Sequence, residues 1–314
     1  MRKLHSGSRA ATWNDIRSKR LRHALPSLFY YIVALNLCFV FIYPLLYMLT
    51  QAMMQPSDLM DGTVVWIPKG VTIANYIVAL DKMEFLLTFK NTLILSLGGG
   101  VLQVLGCSLA AYGFARYRFP GSRIWFFLLL CAFLIPPQTM MVPLYLFFSD
   151  IGWTQSFLPM LVPSAFGHGL RGALFVLVFI QFFKGMPSQL EEASRIDGAG
   201  AYRTFFWIIM PLARPAILVV FLFSFVWHWN DLFEAGLYIT TGENMTLSQK
   251  LLVIKSLTSG ETSVLSDDTM GGASLEGPRL MAAAVVTILP LLLMYLFAQR
   301  YFVESIERTG LTGE

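Results

Sequence analysis

The chain has 314 residues, of which 56% are hydrophobic and 13% charged, with a formal net charge of +4. An ordinary soluble domain carries roughly 25% charged residues, and the mean hydropathy here is +0.61, so the composition excludes an ordinary soluble globule. The basic residues lie between apolar runs and form no single patch, so the positive balance gives no reason to expect a nucleic-acid partner.

Uncharged apolar runs recur at 27–50, 91–114, 124–148, 172–183, 215–230 and 280–299. A helix needs about 20 residues to cross the hydrocarbon core. Four runs reach that length. The runs at 172–183 and 215–230 need a flank containing Arg171 or Arg214. Residues 1–26 hold seven basic residues. The first apolar run continues through Tyr43 and Pro44 without a small-residue cleavage site, so it is expected as a retained first helix and not a signal peptide. Cys38, Cys107 and Cys131 all fall inside apolar runs, without metal-ligand spacing, and read as small buried hydrophobes.

Fifteen of the 23 basic residues fall in the N-terminal segment, the loop after the second run, the segment after the fourth run and the tail. The alternate loops are poor in them. The positive-inside rule then gives an all-α polytopic membrane protein of six transmembrane helices with both termini cytoplasmic. The expected order is a cytoplasmic segment 1–26, a first crossing 27–50, an extracytoplasmic loop 51–84, a core 85–303 and a tail 304–314. A short outer helix near 155–165 should precede the fourth crossing, from about 168 to 184. Pro136-Pro137 should break the third helix. The outer loop 240–278 is rich in polar residues (Ser263, Ser266, Asp267, Asp268, Gly271, Gly272). Composition suits a solvated linker there as well as a contact with an external partner.

The loop 186–215, on the inner side, is the most informative segment. Ser188 and Glu191 have the spacing of a capping box, so a helix should start at Ser188. Glu191 and Glu192 lie in its first turn, where the helix dipole favours them, and Gly198 should stop it. A second amphipathic stretch from Tyr202 ends where Pro211 and Pro215 redirect the chain into the fifth crossing.

Within this loop Glu192-Ala193, Asp197-Gly198-Ala199, Phe206, Ile209, Pro211 and Pro215 resemble the signature of ABC importer permeases, with Met210 in place of the usual leucine. Asn91-Thr92, Ala111-Tyr112 with Arg116, Phe119-Pro120-Gly121, Leu134-Ile135-Pro136, Val142-Pro143 and Trp229-Asn230-Asp231 match the same family. The tail from Gln299 to Val303, with Thr309-Gly310, is similar to carbohydrate-uptake permeases of the maltose and arabinose-oligosaccharide type. The resemblance covers most of 85–313. It implies a type I ABC importer permease fold in a prokaryotic cytoplasmic membrane. It also implies a dimer of separate ATPases carrying ATP and magnesium, a second permease expected as a different chain, and an extracytoplasmic solute-binding protein. Glu191, Glu192, Ala193, Asp197, Gly198, Ala199 and Pro211 would then couple the chain to the ATPase, with Ala193 and Gly198 allowing close approach and the carboxylates pairing with the partner.

The chain itself has no G-x-x-x-x-G-K-[ST] motif and no Gly-Lys dipeptide, so it is not expected to be an enzyme or to bind a cofactor. Polar groups inside membrane segments are costly and tend to face a cavity. By that argument Gln103, Gln138, Trp227, His228, Trp229, Asn230 and Asp231 are candidates for a translocation path. The blander reading places the two tryptophans in the core or interfacial belt, makes Asn230 structural and His228 a packing residue. The main alternative is a secondary transporter of a small polar solute, but no internal repeat supports it. A membrane enzyme would need clustered ionisable groups, and the four histidines are dispersed.

Overall fold

The computed structural model describes residues 13–64, 66–169, 171–258 and 276–310. Among them the ordered elements are helical and none is a strand. In chain order they are α1 (Trp13–Ala52), α2 (Pro56–Met60), α3 (Ala74–Lys82), α4 (Phe85–Arg116), α5 (Ser122–Leu134), a 3-10 turn (Pro137–Met140), α6 (Met141–Asp150), α7 (Leu158–Ala165) and α8 (Gly172–Lys184). There follow α9 (Gln189–Ile196), α10 (Ala201–Thr204), a π-helical turn (Phe205–Ile209), α11 (Met210–Leu212), α12 (Arg214–Asn230), α13 (Phe233–Tyr238), α14 (Leu247–Thr258) and α15 (Glu276–Gly310).

Three straight stretches are long and apolar enough to cross a membrane: Phe29–Ala52, Phe85–Arg116 and Gly277–Arg300. Three bent pairs pass the same test of length and composition, which allows up to six crossings. The pair α5 and Pro137–Asp150 bends by 98°. The break falls at Ile135 and Pro136, both extended, with Pro137 opening the next turn. The expected straight third helix over 124–148 is therefore an elbow, because Pro136 and Pro137 remove two amide donors and Pro137 forces the preceding residue out of helical geometry. The other pairs are α8 with α9 (76°) and the 201–212 segment with α12 (81°).

Helix α4 is the axis of the molecule. Val104, Cys107, Ala111 and Tyr112 on one face pack with Phe175, Phe179 and Phe183 of α8 and with Ala216 and Val220 of α12. A second cluster joins Ala52 of α1, Met83, Trp229, Leu247 and Ala282. Close approach is set by glycine. A Cβ on Gly106 would lie 2.5 Å from both the Ala165 carbonyl oxygen and the Gly167 nitrogen, so α4 meets the α7–α8 connection backbone to backbone, as small residues permit between membrane helices. By contrast α1 leaves Phe29, Leu35, Val40 and Phe41 exposed and packs on α15. Without water, lipid is the solvent that suits such a face.

Two outer segments hold more structure than linkers would. Residues 51–84 contain α2 and α3, fixed by Asn75, whose side-chain amide donates to the carbonyls of Ala52 (3.0 Å) and Met54 (2.9 Å). The expected linker 240–278 instead contains α14, whose Leu247 is fully buried. Its root is clamped by Asn91, which donates to Met245 O at 3.0 Å, and by Thr92, which accepts from Leu247 N at 2.9 Å. Ser263, Ser266, Asp267, Asp268, Gly271 and Gly272 lie outside the described residues.

Candidate functional site

The segment 186–215 folds as two short helices set against the Arg116 end of α4. The first, α9, begins at Gln189 and not with a capping box. Ser188 has helical backbone angles (φ −69°, ψ −23°) and caps nothing with its side chain. The reason lies outside the segment. Glu191, which a capping box would turn back to its own helix start, is taken by Arg116 Nε at 3.0 Å, both side chains being about nine-tenths buried.

The C-terminus of α9 follows local rules closely. Gly198 has φ +77°. Its N–H donates to Arg195 O at 3.0 Å, and the Ala199 N–H donates to Ser194 O at 2.9 Å. These two bonds form a Schellman stop, which needs a left-handed residue at that position. The next stretch, 201–212, contains the π-helical turn Phe205–Ile209. The extra residue in that turn buries Phe205 and Ile209 in the core while Phe206 and Trp207 point away from it. Such turns concentrate at functional positions.

The outward face of this segment mixes exposed carboxylates with exposed apolar groups. Glu192, Ala193, Asp197 and Gly198 are exposed, Ala199 is half-buried and Pro211 is exposed. Ile196 is 86% exposed, Tyr202 78% and Trp207 79%. Glu191 is a correction to the sequence expectation: its carboxylate is held inside the chain and is not presented to a partner. Gly198 is corrected in part. Nothing lies within 4 Å of a Cβ placed there, so within this chain the glycine serves the backbone turn and not a close contact. The sequence signals that missed this arrangement were Arg116 and Tyr112, which were visible only as family matches 70 or more positions away.

The path candidates do not form one lining. Gln103 and His228 are buried in a polar seam between α4 and α12. Ser224 Oγ donates to Gln103 Oε1 at 2.8 Å, and His228 Nδ1 lies 2.8 Å from Ser224 O. His228 Nε2 rests where Gly99 has no side chain, 2.6 Å from the position a Cβ would take, and has no hydrogen-bond partner. Trp229 is a core residue, its Nε1 donating to Thr287 O at 3.2 Å. Asn230 is exposed and bonds back to Val226 O. Asp231 is engaged as a cap: its carboxylate accepts the amides of Phe233, Glu234 and Ala235 at 3.0 to 3.1 Å, satisfying the orphan donors of α13. These placements favour structural roles for Trp229, Asn230 and Asp231. Gln138 is exposed in the 3-10 turn at the α5–α6 elbow.

A cavity of about 260 Å³ opens elsewhere, between that elbow, the start of α8 and α13. Phe133, Met140, His168, Arg171, Glu234 and Tyr238 contribute to its wall. Arg171 is held at φ +61°, with its guanidinium 5.7 Å from the Trp227 ring centre, a cation–π contact. Trp227 is thus placed beside the cavity's cation. Glu234 lies beyond the apolar run of α12. Burial, and then the neighbouring charge of Asp231, push its carboxyl up to about 7. The wall therefore offers aromatic and thioether surface together with a guanidinium and a carboxyl that can both donate and accept.

Comparison with known proteins places this geometry. The family model described as the binding-protein-dependent transport system inner membrane component matches residues 103–308. A probable ABC transporter permease protein of Pyrococcus horikoshii is 26% identical, over 90% of this chain and 96% of its own length. A diacetylchitobiose uptake system permease protein of Streptomyces coelicolor is 28% identical, over 96% of this chain and 91% of its own. Among solved structures, a chain of a bacterial ABC transporter involved in import of the acidic polysaccharide alginate superposes with a TM-score of 0.72. It covers 91% of this chain and 98% of that chain, at 22% identity, so it shares the fold.

Proposed function

The chain belongs to the inner membrane components of binding-protein-dependent transport systems and is a transport permease subunit, not an enzyme; from that premise we propose that it carries a sugar or oligosaccharide inward across a prokaryotic cytoplasmic membrane. Its six crossings place both termini in the cytoplasm. A solute-binding protein delivers the cargo outside, a second and different permease completes the pathway, and a dimer of ATPases drives it from inside with ATP and magnesium.

The observation that carries the energetic half of this reading is the outward face of 189–212. A short helix with a fixed C-terminal stop, exposing Glu192, Asp197, Ile196 and Trp207 at one end of the bundle, suits docking on a partner. Carboxylates there can form charge-assisted bonds, and exposed aromatics supply the apolar area of an interface. Residues Glu192, Ala193, Asp197, Gly198, Ala199 and Pro211 form or shape that surface, and Glu191 anchors it.

For cargo, the cavity bounded by Arg171 and Glu234 supports a hydroxylated ligand. Aromatic faces and paired donors and acceptors are the groups that recognise sugar rings, and about 300 Å³ is the lower size of small-molecule sites. The relatives named for diacetylchitobiose and alginate point the same way. The seam of Gln103, Ser224 and His228 supports the inter-helix geometry behind it.

The test is reconstitution. The chain is expressed with its neighbouring permease and ATPase genes, purified through a tag on this chain, and placed in proteoliposomes with the cognate binding protein. Co-purification of the ATPase and ATP-dependent uptake of a labelled oligosaccharide are expected. Uptake that proceeds without ATPase, driven by an ion gradient, would refute the assignment.

A further inference from the structure

We propose that Arg116 is a positioning residue that fastens the ATPase-facing helix α9 directly to α4, so that α4 is driven by the ion pair with Glu191 and not only through the chain that joins α9 to its neighbours. This rests on the docking role given above to 189–212.

The argument begins with how little of α9 touches the rest of the protein. Of its eight residues, two are buried, Glu191 and Ser194. Both are polar. Ile196 is almost fully exposed, so no apolar packing holds the helix in place at that end. Its attachment runs through two contacts with different destinations. Ser194 Oγ lies 2.9 Å from Thr204 Oγ1, which ties α9 to the segment leading into α12. Glu191 pairs with Arg116 Nε at 3.0 Å, which ties α9 to the last turn of α4.

The second tie is the stronger. Arg116 uses a different nitrogen, Nη2, to donate to Met186 O at 2.8 Å. One guanidinium thus holds both the helix and the link that leads to it, a use of the planar fork that lysine could not reproduce. The Tyr112 hydroxyl, one turn earlier on α4, faces the same carboxylate. Its ring packs against Phe183 at 5.8 Å and Phe205 at 5.0 Å. The end of α4 is therefore where α8, α9 and the π-helical turn converge. Removing either charge would leave the other buried and uncompensated, which is far more damaging than losing a surface pair. Because α4 packs along α7, α8 and α12, a push on α9 passes through Arg116 to the axis of the bundle.

Two measurements decide the matter in the reconstituted complex. The first is molecules transported per ATP hydrolysed for Glu191→Gln, Arg116→Gln and the exchanged pair Arg116→Glu with Glu191→Arg. With the complex assembled at parental stoichiometry, the single variants are expected to lose about tenfold in that ratio, the weight of one charge-assisted hydrogen bond. The exchanged pair should recover most of it. A purely structural contact would lower assembly and thermal stability and leave the ratio at the parental value, and a parental ratio in the single variants overturns the proposal.

The second measurement leaves the ion pair intact, and it decides if the single variants do not assemble. Spin labels at Gly113→Cys on α4, where an added side chain meets open space, and at exposed Arg195→Cys on α9 report their separation with Cys38 and Cys131 replaced. A fastened helix keeps that distance to within about 1.5 Å, one residue's rise, between nucleotide-free and nucleotide-trapped states. A larger displacement refutes the fastening. Failure of the docking role itself would look different: the ATPase would bind equally well to Glu192→Lys, or would not co-purify at all.

Discussion

Gly106 and Gly113 lie seven residues apart on α4, and alanine should act with opposite sign at the two positions. At Gly113 nothing lies within 4 Å of an added Cβ, so Gly113→Ala reduces the freedom of the unfolded chain and stabilises by about 0.5–1 kcal/mol. At Gly106 the same Cβ falls 2.5 Å from Ala165 O, 2.5 Å from Gly167 N and 2.8 Å from Ala165 C, well inside an ordinary contact of about 3.5 Å. All three atoms are main chain and have no rotamer with which to retreat. Gly167, at φ +74°, and the Cys107 thiol, 3.7 Å from Gly167 O, hold the same junction. Relief requires α4 to part from the α7–α8 connection. Overpacking of this kind costs about 1–3 kcal/mol, which outweighs the helix gain and leaves Gly106→Ala net destabilised by roughly 1–2 kcal/mol. Titration of the purified protein in mild detergent with dodecyl sulfate, followed by far-ultraviolet circular dichroism, measures both variants against the parent. If Gly106→Ala proves as stable as the parent, or if both variants move in the same direction, the backbone junction is not what sets the α4 packing distance.

Other substitutions test the site. Gly198→Val forces a β-branched residue into φ +77° at about 1–2 kcal/mol; quantitative immunoblotting should find membrane levels unchanged while ATP-dependent uptake is lost, and normal uptake would count against a coupling role. Glu234 prefers its neutral form in the fold, ionising near 7 against an ordinary 4.5. Between those values the unfolded chain has released a proton that the folded chain keeps, so stability falls with rising pH at about 1.4 kcal/mol per unit. Glu234→Gln should match the parent below pH 4.5, exceed it above pH 7, and flatten the pH dependence of thermal unfolding. Asp231→Ala removes the acceptor of three α13 amides and should lower stability by about 0.5–2 kcal/mol, with Asp231→Asn restoring part of it in the same unfolding assay.

The sequence by itself determined what depends on near neighbours along the chain. Apolar run length fixed the helical, membrane-embedded class, because lipid offers backbone groups no partner but one another. Pro136-Pro137 located the elbow, and Gly198 located the stop of α9, since each acts through its own dihedral angles. The motif of 192–215 marked the segment through which a chain without a nucleotide-binding loop receives energy. Tertiary structure decided what near neighbours could not. Ser188 and Glu191 have the right spacing for a cap, yet Arg116, 75 positions earlier, offers the carboxylate a full opposite charge, and the cap is not made. Trp229 and Asp231 look alike as membrane polar groups in sequence, but one bonds Thr287 in the core and the other ends a helix. Which of several polar groups faces a cavity depends on which helices approach, and that approach is set by glycines such as Gly99 and Gly106, whose missing side chains acquire meaning through contacts over 60 or more residues.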